Sequence, residues 1–364
     1  MSTLSKLFQP IRVGAAQLQH RVVMSPMTRN RATADHIPTD LMVKYYDQRS
    51  STPGTLLITE ATFIADKASG LGNVPGIWNQ AQIDAWKKIT QVVHDNGSFI
   101  YLQLWAIGRA AQPNLLAEKN LPYVSASDIK FKDSDVAPRP LTIPEIKEYV
   151  QLYGTAAANA IKAGFDGVEI HGANGYLIDQ FIQTNTNTRT DEYGGSIENR
   201  IRFADEVVDA VVAAVGEERS AIRLSPWGVY QEMCMPDPLP TFDTLVKKLD
   251  AKYPGLAYIH VVDPDEYGVG AVAPGVVRSN DFVDAVRLPR PVIHAGFFNR
   301  ESAIKAADAK EGVLVGFARS FISNPDLPRK LKDGLELAQP DYSKLYFGNH
   351  EGYTDYPFAT EVKA

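Results

Sequence analysis

The sequence predicts an α/β fold, a single (β/α)₈ TIM barrel, and three observations lead to that prediction. Eight short apolar runs alternate with amphipathic segments along the chain. The runs are continuous rather than alternating, as expected for parallel strands that are covered on both faces. No G-x-G-x-x-G follows any of them, which disfavours a doubly wound sheet with a dinucleotide-binding crevice. We therefore expect one barrel domain spanning residues 1–364.

The predicted strands are short and rich in β-branched residues. In order they are 21–27, 55–61, 98–105, 165–172, 221–228, 257–263, 291–297 and 312–318. Most of the gaps hold helical patterns that begin with Ser, Thr or Asn and end in Gly, the usual start and stop signals. These patterns predict helices within 80–97, 142–164, 196–216, 241–255, 279–288 and 299–312.

Three segments lie outside the repeated unit. Residues 1–20 predict a hairpin ahead of the first strand, at the bottom of the barrel, and residues 338–364 predict an irregular tail. The stretch 106–140 contains four prolines and is predicted to be a long loop after the third strand. Loops of that length can form a lid over a site.

Composition restricts the class of partner. The net charge is −6 and no Lys/Arg cluster stands out, which argues against a nucleic-acid partner. No run approaches the ~20 apolar residues of a membrane span, and the single cysteine, Cys234, fits a reducing compartment. We expect a soluble, cytoplasmic monomer or homodimer that acts on a small molecule.

Five polar residues and one glycine lie within a predicted strand or directly after it. Because barrel active sites lie at the carboxyl ends of the strands, these residues are candidates for a common site. Each alone has a structural alternative, such as a turn, a loop contact or an ion pair, but their convergence at one end indicates a ligand. They are Thr28, Gln103, His171, Arg223, Gly296 and Arg319.

The residue types at these positions predict the ligand. Gly296 and Arg319 follow strands seven and eight, the usual phosphate site of such barrels. Gln103 can both donate to and accept from a pyrimidine-like edge, and Arg223 favours negative charge nearby. A planar, phosphorylated, reducible heterocycle fits these groups, and flavin mononucleotide (FMN) is one.

The fourth strand ends in "EIHGANGYLIDQF", in which His171, Asn174 and Tyr176 stand within six residues. They could bind a metal, cap a helix, or hold and protonate a substrate. A metal site could also use His260 and His294, but Asn and Tyr are poor zinc ligands and no H-x-x-x-H or acidic cluster accompanies them. We expect no metal, and expect His260 and His294 to be hydrogen-bonded core or cofactor-adjacent residues.

Six motifs are distributed along nearly the whole chain. They are "PMTRNRA" (26–32), "LQLWAIGRAA" (102–111), "HGANGYLIDQF" (171–181), "NTRTDEYGGSIENRIRF" (187–203), "GFARSFISNPDLP" (316–328) and "EGYTDYP" (351–357). In this order they resemble the motifs of the Old Yellow Enzyme family of FMN-dependent NAD(P)H ene-reductases.

The resemblance implies a set of FMN contacts. Thr28 would bond the flavin C4 oxygen, with the backbone of Pro26 and Met27 beside it, and Ala61 would pack near the same edge. Gln103 would bond the pyrimidine edge. A cation near N1 is one of the main means by which a protein tunes a flavin, and Arg223 would supply it.

The phosphate contacts implied by the resemblance involve Gly296, Ala318 and Arg319. The family usually has Gly-Arg at the eighth strand, whereas this chain has Ala318-Arg319. If Ala318 must adopt a conformation open only to glycine, FMN binds less tightly; at negative φ the added methyl group costs little.

The resemblance also assigns the three residues after strand four. His171 and Asn174 would donate hydrogen bonds to a carbonyl or nitro oxygen of an activated alkene, as in an oxyanion hole. Tyr176 would then protonate the α-carbon, since a phenol stays protonated at neutral pH. NADPH or NADH would reduce the flavin at the same face, which implies ping-pong kinetics and explains the missing Rossmann motif.

Tyr346 and Trp105 are further implied substrate contacts, with aromatic packing of the tail and barrel wall as the alternative.

The resemblance also indicates a branch of the family. Thr28 stands where the thermophilic-like branch has cysteine, which suggests the branch with the yeast enzymes and pentaerythritol tetranitrate reductases. The lone Cys234 excludes relatives that bind an iron–sulfur cluster. Some ergot-pathway relatives act as isomerases and have phenylalanine at the position of Tyr176. The alternatives that remain are an isomerase-type or biosynthetic member of the family, another FMN barrel such as a hydroxyacid oxidase, and a metal-dependent or non-catalytic barrel.

Overall fold

A computed structural model describes residues 4–264, 278–346 and 348–360. The strands are β1 (Ile11–Val13), β2 (Ala16–Leu18), β3 (Val22–Met24), β4 (Leu56–Ile58), β5 (Thr62–Phe63), β6 (Phe99–Trp105), β7 (Val124–Ser125), β8 (Arg139–Pro140), β9 (Gly167–Gly172), β10 (Ser220–Leu224), β11 (Tyr258–Val262), β12 (Val292–Ala295) and β13 (Val313–Phe317).

The α-helices of the described residues alternate with these strands. They are α1 (Asp40–Arg49), α2 (Gln80–Asp95), α3 (Pro113–Glu118), α4 (Ile143–Lys162), α5 (Leu177–Ile182), α6 (Ile197–Val215), α7 (Leu239–Lys252), α8 (Asp281–Arg287), α9 (Arg300–Ala309), α10 (Arg319–Ser323) and α11 (Leu327–Asp333). Several begin at a side-chain cap, as their sequences predict. The capping residues are Asn79, Thr142, Ser196 and Asn299.

Eight parallel strands close the barrel. Their order is β4-β3-β13-β12-β11-β10-β9-β6, and β6 pairs in parallel with β4 to complete the ring. Each of the eight predicted strands overlaps one of these, so the predicted (β/α)₈ barrel is confirmed. Each of the six predicted helices is also present.

Side chains along each barrel strand point alternately outward, toward the helices, and inward, into the barrel. Ile170, Ile222 and Val261 point outward and pack in the apolar layer beneath the helices. Inside the lower half, Tyr258 and Ile293 pack with residues of the hairpin β1–β2. The predicted hairpin therefore closes the bottom of the barrel and leaves the other end available for a site.

Helix α1 lies between the first two barrel strands and was not predicted. Its buried residues are Met42, Tyr45, Tyr46 and Arg49, which have helical spacing. This buried face is not evident from the periodicity of aliphatic residues, because tyrosine and arginine form most of it. Arg49 donates to the main-chain carbonyls of Phe321, Ile322 and Tyr353, partners that lie far away along the chain.

The two irregular segments pack against the end of the barrel opposite the hairpin. The excursion after β6 contains α3 and the short pair β7–β8, and Arg109 within it donates to the carbonyl of Gln231 in the loop after β10 (2.7 Å). The described part of the tail has one short 3₁₀ turn, Tyr342–Lys344. Across the described ranges, no helix is both long and apolar enough to cross a membrane.

Candidate active site

The carboxyl ends of the barrel strands form one mouth, and three predicted site residues lie side by side on neighbouring strands there. Gln103 on β6, His171 on β9 and Arg223 on β10 are buried, with 1–5% of their surface exposed. The strand register aligns His171 with Arg223 and Arg223 with His260. Their alternation with outward-facing residues directs these side chains into the barrel.

Six buried polar atoms at this mouth have no hydrogen-bond partner among the described residues. Buried polar groups are nearly always bonded, so a cluster of unpartnered ones indicates that a ligand supplies the partners. Both donors and acceptors are present, which fits the mixed N–H and C=O edge of a flavin pyrimidine ring. The atoms are Ser25 Oγ, Gln103 Oε1, His171 Nδ1, Asn174 Oδ1, Arg223 Nε and His260 Nε2.

His171 is a neutral imidazole at this mouth. Burial, together with the charge of Arg223 and the neighbouring His260, lowers its pKa well below the ordinary value. A neutral imidazole donates one hydrogen bond through its protonated nitrogen. His171 can therefore hold a substrate oxygen without introducing a titration near neutral pH.

The turn after β9 is fixed by its neighbours. Asn174 has φ of 58°, a left-handed conformation that asparagine tolerates, and its backbone N–H donates to Ser225 Oγ (2.7 Å). The backbone N–H of Gly175 donates to Asp179 (2.9 Å), and Gln180 donates back to the Gly175 carbonyl (2.7 Å). These bonds fix the backbone of the turn that carries the Asn174 side chain.

Tyr176 is the N-cap residue of helix α5 and lies against His171. Its ring centroid is 4.9 Å from that of His171 and 4.7 Å from that of Trp105. Trp105 is itself 1% exposed and stacks on Phe63 (4.7 Å). The structure thus brings His171 and Tyr176 together on an aromatic support, while substrate contact by Trp105 stays a prediction.

The segment predicted to line one flavin edge follows β3. Pro26, Met27 and Thr28 are half-buried, and Ala61, which comes after β4, is buried. Arg29, the residue after Thr28, donates its backbone N–H to the Glu60 carboxylate (3.4 Å). The segments after β3 and β4 therefore lie next to each other.

The predicted phosphate residues lie at the ends of β12 and β13. Ala318 has φ of −102°, so it does not need a conformation reserved for glycine. The added methyl group therefore costs little backbone strain at this position. The Arg319 guanidinium lies 5.0 Å from the ring centroid of Phe297, the residue after Gly296.

Tyr346 differs from the other predicted site residues because it is exposed (62%). Its segment is held to the loop after β3: Arg29 and Arg31 both donate to the carbonyl of Leu345, and Arg29 also donates to that of Gly352. Substrate contact by Tyr346 stays a prediction.

The two other histidines considered as metal ligands, His260 and His294, point in opposite directions. His260 points into the barrel, whereas His294 points outward between Asp263 (2.9 Å) and Asp284 (3.0 Å). Burial lowers the pKa of His294, but its hydrogen bonds to both carboxylates outweigh burial and raise it to about 9. Within residues 4–264, 278–346 and 348–360, no group of His, Cys, Asp and Glu could hold a metal ion.

Glu169 is a site residue that sequence reasoning missed. It lies on β9 two residues before His171, on the same face of the strand, and is fully buried. Its carboxylate accepts from Gln103 Nε2 (2.7 Å) and pairs with His260 Nδ1 (2.8 Å). The signal was present in the sequence, since an acid in an otherwise apolar run demands a partner.

Comparison with known proteins identifies the family of the chain. Residues 6–338 match the model of the NADH:flavin oxidoreductase / NADH oxidase family, a family of FMN oxidoreductases. The chain is 49% identical to chanoclavine-I aldehyde reductase fgaOx3 of Penicillium roqueforti, over 99% of this chain and 98% of that one. It is 44% identical to a probable inactive dehydrogenase, easA, of Claviceps fusiformis, with 98% and 96% covered.

A solved structure is similar over nearly the full length. The crystal structure of Old Yellow Enzyme from Pichia sp. AKU4542 superposes with a TM-score of 0.90 at 39% identity, covering 98% of this chain and 94% of that one. The family model, the relatives and the fold agree with the motifs. The chain therefore belongs to the Old Yellow Enzyme family of flavin-dependent oxidoreductases.

Proposed function

We propose that this oxidoreductase reduces activated C=C bonds, such as those of α,β-unsaturated carbonyl compounds and nitroalkenes, at the expense of NADPH or NADH. The main observation in support is the grouping of His171, Asn174 and Tyr176 beside unpartnered polar atoms that suit a flavin. Bound FMN would supply the chemistry of accepting a hydride from the nicotinamide and passing it to the β-carbon of the alkene.

His171 and Asn174 hold the electron-withdrawing group of the substrate. As the β-carbon receives a hydride, negative charge develops on the carbonyl or nitro oxygen, and donors fixed in advance stabilise that charge. His171 is neutral, and hydrogen bonds hold the backbone of the turn at Asn174. The name of the relative fgaOx3 refers to an aldehyde, which fits a substrate with a carbonyl group.

Tyr176 supplies the proton. Its ring is supported by Trp105 and His171, which fixes the direction of the hydroxyl. Addition of hydride to the β-carbon leaves a basic, enolate-like α-carbon, and a phenol can protonate such a carbon.

Anaerobic spectroscopy tests the proposed function. Purified protein is expected to be yellow, to lose its flavin absorbance on addition of NADPH, and to regain it when 2-cyclohexenone is added. Protein that is colourless and cannot be reconstituted with FMN would contradict the proposal, as would flavin absorbance that the enone does not restore.

Replacement of His171 by alanine is expected to weaken binding of phenolic ligands at least about tenfold, because one hydrogen bond to a charged oxygen, worth about 1.5 kcal/mol, is lost. Titration of the flavin spectrum with a phenol measures the affinity. His94→Ala is the matched control, because His94 lies on helix α2 and pairs with Asp166. Unchanged phenol affinity in His171→Ala would contradict the role of His171.

A further inference from the structure

A carboxylate at the centre of the barrel has no role in the reaction described above. The side chain of Glu169 is 0% exposed, and both of its oxygens are bonded. Oε1 accepts from Gln103 Nε2 at 2.7 Å, and Oε2 lies 2.8 Å from His260 Nδ1. The strand register places Gln103 directly beside Glu169.

Such a carboxylate is an unfavourable way to stabilise a barrel core. Removing a charge from water costs several kcal/mol, and apolar replacements of buried polar networks are often neutral or stabilising. The lower barrel interior is in fact filled by apolar and aromatic side chains, including Tyr101, Tyr258 and Ile293. The network around Glu169 therefore calls for an explanation beyond packing.

The bond to Glu169 determines which way the Gln103 amide points. An amide has one donating nitrogen and one accepting oxygen, and a carboxylate accepts but does not donate. With Nε2 committed to Glu169, Oε1 is left buried and unpartnered. The Gln103 backbone is held as well, since its N–H donates to Thr59 Oγ1 (3.0 Å). A ligand N–H would satisfy the remaining oxygen.

His260 is set by the same carboxylate. Burial lowers its pKa, against the raising effect of Glu169, so it is neutral and donates its Nδ1 proton to the acid. Its Nε2 is then an acceptor, also buried and unpartnered. The Gln103 amide and the His260 imidazole could each present either a donor or an acceptor. Their bonds to Glu169 leave the accepting atoms, Gln103 Oε1 and His260 Nε2, unpartnered.

We propose that Glu169 is a positioning residue for the flavin: it fixes Gln103 with the amide oxygen toward the ligand, so that the site selects a pyrimidine ring with an N–H at that edge. This inference rests on the proposed FMN binding. Glu169 acts through Gln103 and does not itself touch the ring. When glutamine replaces it, residue 169 can donate, the Gln103 amide can reverse, and the N–H of the ring meets a donor.

The test compares the binding of FMN and N3-methyl-FMN to apoprotein, measured by flavin fluorescence. The wild type is expected to prefer FMN. In Glu169→Gln, FMN is expected to bind about 10- to 100-fold more weakly, because the charge-assisted hydrogen bond that orients the Gln103 amide is lost. The affinity for N3-methyl-FMN is expected to change little. The double variant Glu169→Gln/Gln103→Glu restores a carboxylate–amide pair with an acceptor at residue 103 and is expected to recover the preference.

The controls separate positioning from structure. Asp205→Asn removes a buried carboxylate that pairs with Lys248 on the outside of the barrel, and both affinities should stay unchanged. If Glu169→Gln alone does not fold, the double variant tests the role of residue 169 by its preference for FMN, and Gln103→Leu, which removes the accepting oxygen, must abolish that preference. Equal weakening of both flavins in Glu169→Gln, or a preference retained in Gln103→Leu, would overturn the inference. Wild-type protein that binds neither flavin would instead contradict the proposed function.

Discussion

Replacement of Tyr176 by phenylalanine is expected to slow reoxidation of the flavin by an enone about 10²- to 10⁴-fold, the usual contribution of a positioned acid. Reduction of the flavin by NADPH is expected to be nearly unchanged, because no proton is delivered to carbon in that half-reaction. The ring of Tyr176 packs on Trp105 and His171, and phenylalanine keeps that packing. Anaerobic stopped-flow measurement of the two half-reactions separates the effects.

Tyr123→Phe is the matched control. Tyr123 is half-buried, and its hydroxyl donates to the carbonyl of Arg109 in the excursion after β6 (2.7 Å). Its loss is expected to leave both half-reactions close to wild type. A Tyr176→Phe enzyme that loses both half-reactions equally would contradict the assignment of the proton to Tyr176.

Replacement of Arg223 by methionine is expected to make the flavin harder to reduce and to weaken FMN binding. Arg223 is 5% exposed, and its unpartnered Nε lies at the barrel mouth. A buried cation there favours negative charge on the pyrimidine ring. A tenfold change in the two-electron equilibrium corresponds to about 30 mV, and we expect a fall in midpoint potential of at least that size.

The Arg223 variant also affects its neighbours. The charge of Arg223 contributes to the lowered pKa of both His171 and His260, and that contribution is lost with the guanidinium. Arg223→Lys keeps the charge but not the planar fork, so the potential should fall less than in Arg223→Met. Dye-equilibration measurements give both potentials. A potential unchanged in Arg223→Met would show that this arginine does not tune the flavin.

The barrel was predictable because parallel strands covered on both faces have continuous apolar sequences, and eight of them are readable one by one. Helix α1 was not, because its buried stripe depends on Tyr45, Tyr46 and Arg49. The arginine has long-range partners at Phe321 and Tyr353. Local periodicity cannot reveal an arginine that is buried by such contacts.

The site was predictable to the extent that strand ends converge in any barrel. His171 and Tyr176 are close in space because only the short turn at the end of β9 separates them. Glu169 required the register that sets it beside Gln103, and the anchoring of the Tyr346 segment required contacts from Arg29 and Arg31 more than 300 residues earlier. Those pairings arise from tertiary structure, and no local pattern encodes them.

The identity of the bond that is reduced tests the central claim most directly. The measurement is turnover of 2-cyclohexenone with NADPH that carries deuterium at C4 of the nicotinamide, followed by mass spectrometry and NMR of the product. Reduction of the alkene predicts cyclohexanone with deuterium at the β-carbon. Formation of 2-cyclohexenol, with deuterium on the carbon that bears oxygen, would contradict it.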